Sequence, residues 1–538
     1  MEVSYSDKKV LIVDNRLEDL GEFKKILGRM GVGAIQVASS VNMALALLRE
    51  EQYDICFIVF DLGKDQKNGL QLIQEAAAEG SRQHSCAFIL IVDPDRSKLL
   101  FGSLDSAPDA YISKPYDEAK VRSRVEKILR VKHVLQPLEE MLDTGEMHKA
   151  LESCRQLGQE YPGLNLYILR IRGIILIELG LYAEAVRLFT SLIAHRDLPW
   201  AKVGLGLAHC HLGEYRQAQR FLTQVIDDSH LCVEAYAWLA RAHRALGEWR
   251  TAIGLLRKAI LLQPTIPQLQ AALGGLATQT NDWALATDAY RAAIKFSAQG
   301  CFQSDVFYFG LVTALLSRIN NSGSAESLQA ETEAVRLLED VVAAFSGQPV
   351  VQFKSRLMAA SVYRTAGSVQ RSNLAIQNAF DLFCALELVE QAQWIDPLMD
   401  DVAGSDVEME AQALKQQINQ DMAKLDWGRL NIQGLLHYRK KEYRKALGFF
   451  VRADGILPNN PSVVLNLVQS ALEQANELEP ERKEILLQCD NALYSVNYGA
   501  LGSRQKSRYI TLTERCAEMI KELLDGADSF SGDQALVD

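Results

Sequence analysis

Apolar residues follow two rhythms along this chain. Up to about residue 130 they come in short unbroken runs, Lys9–Val13, Ile35–Val37, Ile55–Phe60, Phe88–Val92 and Ala110–Ser113, which read as strands. Between them apolar residues recur at helical spacing, over Leu17–Gly28, Val41–Glu50, Gly69–Ala78, Arg96–Leu104 and Asp117–Arg130. Alternation of this kind, with strands apolar along their whole length, predicts a parallel sheet covered on both faces. Functional side chains then belong at the carboxyl ends of the strands.

Beyond residue 130 the helical period takes over, and it is paired. In Val233–Pro264, small and bulky residues fall at Tyr236, Leu239, Ala240, His243, Gly247, Trp249, Ala252, Leu256, Ala259 and Pro264. Ala240 and Ala252 leave room where two antiparallel helices cross, and Gly247 relieves the turn between them. The spacing resembles the tetratricopeptide (TPR) repeat. Ala150, Ala185, Ala218, Ala252 and Ala286 mark successive second helices at intervals of 35, 33, 34 and 34 residues, which gives five repeats over residues 131–298. Far downstream the pattern returns through Leu430, Gly434, Tyr443, Ala446, Phe450, Ala453 and Pro458.

A chain of 538 residues is too long for one core, and 48% hydrophobic with 23% charged residues is an ordinary folded composition. The net charge of −11 and pI near 5.5 argue against nucleic acid or an anionic membrane as main partner. With no leader-like N-terminus and no apolar run of membrane-spanning length, a cytoplasmic protein is expected. Nine scattered cysteines without a CxxC pair read as buried free thiols.

The candidate chemistry lies in the first domain, residues 8–130. Asp14 and Asn15 follow the first strand, Asp61 the third, and Lys114-Pro115 the fifth. Carboxylates and an ammonium converging there suit phosphoryl transfer. With Asn68-Gly69 and Tyr111, the segment resembles the receiver domain of bacterial two-component response regulators. The resemblance implies a flavodoxin-like α/β fold with a five-stranded parallel sheet, followed here by an all-α TPR solenoid. It implies Asp61 as phosphoacceptor, and a phosphoryl pocket of Lys114, Asp93 and Tyr111. It also implies Mg2+ at Asp14, Asn15, Asp61 and the Gly63 carbonyl, and a cis bond before Pro115. Asn15 replaces the second acid, which weakens the metal site, and Asp93 stands where a hydroxyl normally bonds the phosphoryl group. Two residues added before Asp61 allow a register with Val59 at the acceptor position, although the Gly69 anchor favours Asp61. Asp14 also reads as a helix cap.

The last receiver helix leads into the repeats without a Gly or Ser linker, so it should run nearly straight into the array. Residues 299–395 read as irregular TPR-like helices carrying a polar insertion after Arg318, expected as a loop. The acidic stretch Asp396–Glu410 reads as a second, solvated loop. Residues 410–524 form C-terminal repeats and capping helices, and residues 525–538 are expected to be disordered. His209 and His211 suggest a metal pair, but two residues apart on a helix they point in different directions, so the core reading prevails.

TPR arrays line a concave groove with their first helices, which places Arg241, Arg244, Asn431, Tyr438 and Arg439 there. No enzymatic or DNA-binding output is visible. The reading is a phosphorelay response regulator that acts as an adaptor: a sensor histidine kinase or phosphotransfer protein donates to Asp61, and the array binds a protein or peptide. The output face of the receiver also allows a homodimer. Two alternatives stand beside it: a phosphorylation-independent scaffold with a degenerate receiver as docking domain, and a phosphate sink. The only catalysis expected is self-phosphorylation and self-dephosphorylation.

Overall fold

The computed structural model describes residues 5–63, 66–93, 104, 108–228, 231–298, 300–321, 324–477, 481–496, 498 and 501–532. Five strands form a parallel sheet of order β2-β1-β3-β4-β5: β1 (Lys9–Val13), β2 (Ala34–Ala38), β3 (Ile55–Val59), β4 (Ala87–Val92) and β5 (Ala110–Ser113). The register pairs Val13 with Ala38 and Ile58, and Val59 with Ile91. Every residue of β3 and β4 is buried, which is why these strands read as unbroken apolar runs. Helices α1 (Leu17–Arg29), α2 (Val41–Glu50) and α3 (Gly69–Ala78) complete this layer. The helix expected over Arg96–Leu104 lies outside the described residues, apart from Leu104.

Helix α4 (Glu118–Asp143) joins the sheet to the array without a break. Its Val121, Val125 and Ile128 belong to the core of the sheet, whereas Leu135, Leu138 and Leu142 belong to the core of the first repeat. Pro137 lies inside it. Its missing N–H leaves the His133 carbonyl without its helical donor.

From there the chain is a succession of helical hairpins: α5 (Met147–Glu160) and α6 (Asn165–Glu178), α7 (Tyr182–His195), α8 (Pro199–His211), α9 (Tyr215–Asp228), α10 (Val233–Ala245), α11 (Trp249–Leu262), α12 (Pro267–Gln279) and α13 (Trp283–Ser297). The alanines that mark the repeat, Ala150, Ala185, Ala218, Ala252 and Ala286, are all fully buried. At the crossings the first helix comes so close that a Cβ on Gly173 would lie 2.6 Å from the Phe189 ring, and one on Gly434 2.6 Å from Phe450. Gly145, Gly180, Gly213 and Gly247 hold left-handed turns at φ between 69° and 75°. Asn281 and Lys441 hold such turns at 58° and 60° without that freedom.

Two stretches depart from the sequence reading. The described part of the polar insertion is helical: α14 (Asp305–Asn321) and α15 (Ser324–Ala344) extend into it, because Ala330, Ala334, Leu338 and Val341 keep a helical stripe that packs into the core. The acidic stretch is mostly helix as well. In α18 (Leu388–Val402), Trp394, Ile395, Leu398 and Val402 are buried and carry the acids on the outer face, so only residues 403–407 turn before α19 (Glu408–Met422). Helices α16 (Pro349–Thr365) and α17 (Val369–Cys384) lie between. The C-terminal series is α20 (Asp426–Arg439), α21 (Tyr443–Ile456), α22 (Pro461–Glu477), α23 (Arg482–Ser495) and α24 (Ser503–Gly532). Helix α24 thus reaches into the tail expected to be disordered.

The chain divides into two compact units. One comprises Met1–Ala242, Gly254–Leu269 and Lys295–Gln303; the other comprises His243–Ile253, Gln270–Ile294 and Ser304–Asp538. Among the described residues no helix is long and apolar enough to cross a membrane, and all nine cysteines are free.

Candidate functional site

The parallel sheet gathers the acidic and basic candidates at its carboxyl edge. Asp14, one residue past β1, is 2% exposed, and its Oδ1 accepts the Arg16 N–H at 2.9 Å. Burial raises its carboxyl above the usual range, against the opposing pull of that N–H and of Lys114. The Lys114 ammonium sits 3.9 Å from Asp14 but 2.6 Å from Asp19, on the first turn of α1. The Lys114–Pro115 bond is cis.

Asp61 lies two residues past β3, half-buried, with its Oδ1 accepting the Gly63 N–H at 3.1 Å. Val59, the alternative in the other register, is inside the strand and buried. Gly69 closes this loop. Its N–H donates to the Phe60 carbonyl at 2.9 Å, and a Cβ there would meet the Val59 carbonyl at 2.5 Å. Asp93 is exposed just past β4. Tyr111, on β5, is half-buried, and burial pushes its hydroxyl up to about 12 although Arg170 pulls the other way.

Magnesium would need hard anionic oxygens converging on one point. Asp14 and Asp61 supply carboxylates at this edge. Asn15 is exposed and its amide Nδ2 donates to the Leu62 carbonyl at 2.9 Å, so its side chain braces the loop after β3. The Gly63 carbonyl accepts the Gln66 N–H at 3.3 Å. Among the described residues no group of three or more His, Cys, Asp or Glu could hold a metal ion. The donor set therefore fits magnesium poorly.

A second cluster, which sequence reasoning missed, lies at the opposite edge of the same sheet. Lys132, on α4, is 9% exposed, and its ammonium lies 3.0 Å from both Asp109 and Glu139. The Tyr167 hydroxyl, from α6, donates to the same Asp109 oxygen, Oδ1, at 3.0 Å. Asp143 accepts the Ser85 hydroxyl at 2.9 Å. Burial alone would lower the Lys132 ammonium, but Asp109, Tyr167 and Glu139 outweigh it and hold it above its ordinary value. Burial raises Glu139 to about 7 despite Lys132. A cavity of about 100 Å³ lies among these groups. Close by, Leu104 donates its N–H to Glu234 at 2.9 Å, and its carbonyl accepts Arg170 Nη2 at 3.0 Å. No local motif signals these contacts, because the partners lie 7 to 130 residues apart.

The groove residues fare differently from one another. Arg241 is half-buried, with its guanidinium 5.1 Å from the centre of the Trp238 ring. Arg244 is buried and donates to Asp490 at 2.9 Å. Asn431 accepts the Asn466 amide at 3.0 Å, and the Tyr438 hydroxyl accepts the Gln469 amide at 2.9 Å. Arg439 is exposed. His209 pairs with Glu214 at 2.6 Å and stacks on Phe221, while His211 stacks on Tyr182, so the two rings serve separate packing roles.

The C-terminal part of a TPR repeat-containing protein from Cytophaga hutchinsonii is 13% identical over 47% of this chain and 96% of its own, with a TM-score of 0.38. A tetratricopeptide repeat protein from Parabacteroides merdae is 13% identical over 63% and 98%, with a TM-score of 0.28. A two-component response regulator from Clostridium difficile is 22% identical over 23% and 97%, with a TM-score of 0.21. The family model described as tetratricopeptide repeat matches residues 235–268, so this chain carries a TPR repeat there, within an all-helical array that follows a five-stranded parallel sheet.

Proposed function

We propose that the protein is a protein-interaction adaptor, in which the receiver-like domain is a fixed docking element and the TPR array takes the partner. The observation that carries this reading is the buried Lys132–Asp109–Glu139 cluster, which ties the sheet to the first repeat. TPR repeats offer a long concave surface, and affinity on such surfaces concentrates in a few anchors. A cytoplasmic location and the absence of a catalytic output belong to the same reading. Affinity capture from the native host tests it with the full chain. Arg241→Glu with Arg439→Glu should lose the main partner, and retention of that partner would move the binding surface elsewhere.

A second reading is favoured by one observation, the presence of Asp14, Asp61 and Lys114 at a single sheet edge. In it a histidine kinase or phosphotransfer protein donates a phosphoryl group to an oxygen of Asp61, and the bond from phosphorus to the donor breaks. Incubation with a small acyl phosphate and magnesium, followed by intact mass, separates the two. The fixed-domain reading expects no mass gain. A gain that disappears in Asp61→Asn replaces it with the switch, and a short acyl-phosphate lifetime would then favour a phosphate sink.

A further inference from the structure

The second unit already holds a helix against the surface where a partner is expected. Helix α24 is amphipathic: Tyr509, Leu512, Thr513, Cys516, Ala517 and Ile520 are buried at helical spacing. What distinguishes its seat is polar recognition along the edge of that stripe. Arg508 Nε donates to Gln469 Oε1 at 2.9 Å, and its Nη2 donates to Asn466 Oδ1 at 2.9 Å and to the Leu465 carbonyl at 3.1 Å, all on α22. One helical step of seven residues further on, Arg515 Nη1 donates to Glu473 at 2.7 Å. Asn466 and Gln469 are the same side chains that bind Asn431 and Tyr438. Two predicted ligand positions are thus linked through α22 to a helix of the chain's own C-terminus. A third is covered nearby: Arg244 pairs with Asp490 on α23, and a Cβ on Gly247 would lie 3.3 Å from Ala517 on α24.

We propose that α24 is an autoinhibitory ligand in cis, and that the seat it fills takes in trans an amphipathic helix bearing basic residues seven apart at the edge of its apolar face. This rests on the adaptor reading and adds the partner's chemistry and its regulation. A purely structural cap needs only the apolar stripe; the acceptors from Leu465 to Glu473, a carbonyl, two side-chain amides and one carboxylate, add recognition of two guanidinium groups. A ligand tethered a few residues from its seat acts at high effective concentration, so a partner must compete with it.

The test is a charge swap in the full chain. A labelled peptide of residues 503–525 is titrated by fluorescence anisotropy onto wild type and onto Glu473→Arg, beside the same peptide carrying Arg515→Glu. In Glu473→Arg the chain's own Arg515 is repelled. That variant should bind the Arg515→Glu peptide at least about tenfold more tightly than the native peptide, and wild type should bind either one weakly. Equal affinity of Glu473→Arg for the two peptides, or no binding of either, overturns the proposal. Should the variant fail to fold, hydrogen exchange on wild type decides the matter. Amides of α24 should exchange by a local opening faster than those of α20 and α21, and exchange of all three at one rate would make α24 a permanent part of the core. A host partner captured by the full chain while the peptide finds no seat would overturn this proposal alone and leave the adaptor reading in place.

Discussion

Replacing Lys132 by methionine should loosen the junction between sheet and array far more than its one lost charge suggests. The ammonium stands 3.0 Å from each of two carboxylates and donates to the His84 carbonyl. Glu139 is buried and the Asp109 side chain is 9% exposed, so removing the cation leaves the Asp109 carboxylate without its counter-charge and pushes Glu139 further toward its neutral form. Breaking a buried pair by deleting one partner costs about 3–5 kcal/mol. At about 1.4 kcal/mol per tenfold change, that corresponds to faster amide exchange by roughly 10²-fold to several thousandfold wherever the junction opens. The assay is hydrogen exchange with mass spectrometry at pH 7.5, followed over residues 84–92 and 118–143. Local exchange is the measure of choice because a chain of two units does not melt in one step. Adding Asp109→Asn and Glu139→Gln should restore most of the protection, since an uncharged, well-packed cluster is often as stable as the ionic one. Protection within threefold of wild type in Lys132→Met, or no recovery in the triple variant, would refute the argument.

Glu139→Gln alone tests the pH dependence. Burial pushes the folded carboxyl up to about 7 from an ordinary value of 4.5, so the folded state binds more protons between these values, and stability falls as pH rises through that window; protection over residues 118–143, corrected for intrinsic exchange, should therefore decline less in the variant than in wild type from pH 5 to pH 7.5. Gly247→Ala should cost about 1 kcal/mol by forcing a Cβ into the left-handed turn, whereas Lys441→Gly, which relieves such a turn, should gain about 0.5–1 kcal/mol, both read by hydrogen exchange in the helices flanking each turn. Asn15→Asp should tighten magnesium by supplying a hard anionic oxygen in place of the amide, measured by titration against intrinsic fluorescence; unchanged affinity would mean that position 15 does not face the metal.

Strands β1, β3 and β4 were legible because burial on both faces leaves no polar alternation to confuse with a helix, and all five predicted runs, the edge strands included, fall on β1 to β5. The repeats were legible because a close helix crossing admits only small residues, so the marker alanines recur in phase. Composition misled after Arg318, where Asn, Ser and Gly read as a loop. The buried spacing of Ala330, Ala334, Leu338 and Val341 was present in the same stretch, and tertiary packing overrode local propensity. At the candidate site, the motif residues could be named from the sequence, but their present partners could not. That Lys114 lies closer to Asp19 than to Asp14, and that Asn15 donates to the loop after β3, are facts of side-chain placement. The Lys132 cluster left no trace, since a lysine and a glutamate seven apart on a helix are ordinarily solvated.

Magnitudes also bear on whether the carboxyl edge could drive the array. The Lys132 cluster gathers at the amino ends of β4 and β5, where His84, Asp109 and the start of each strand meet α4. The candidate acceptor Asp61 lies past the other end of β3, roughly 17 Å along its five residues. Driving a two-state element from 1:99 to 99:1 takes about 5.5 kcal/mol of differential interaction. A phosphoryl group forms about one to three charge-assisted hydrogen bonds, each contributing about 1.5–3 kcal/mol, and Lys114 would first have to leave Asp19. Against this stand the cost of opening the Lys132 cluster and the further tie of Leu104 to Arg170 and Glu234. The phosphoryl bonds total about 1.5–9 kcal/mol, so an event at the carboxyl edge would undock the sheet from the first repeat only near the top of that range. Regulation of the groove by α24 needs no such opening, because α24 packs on α22 within the array itself.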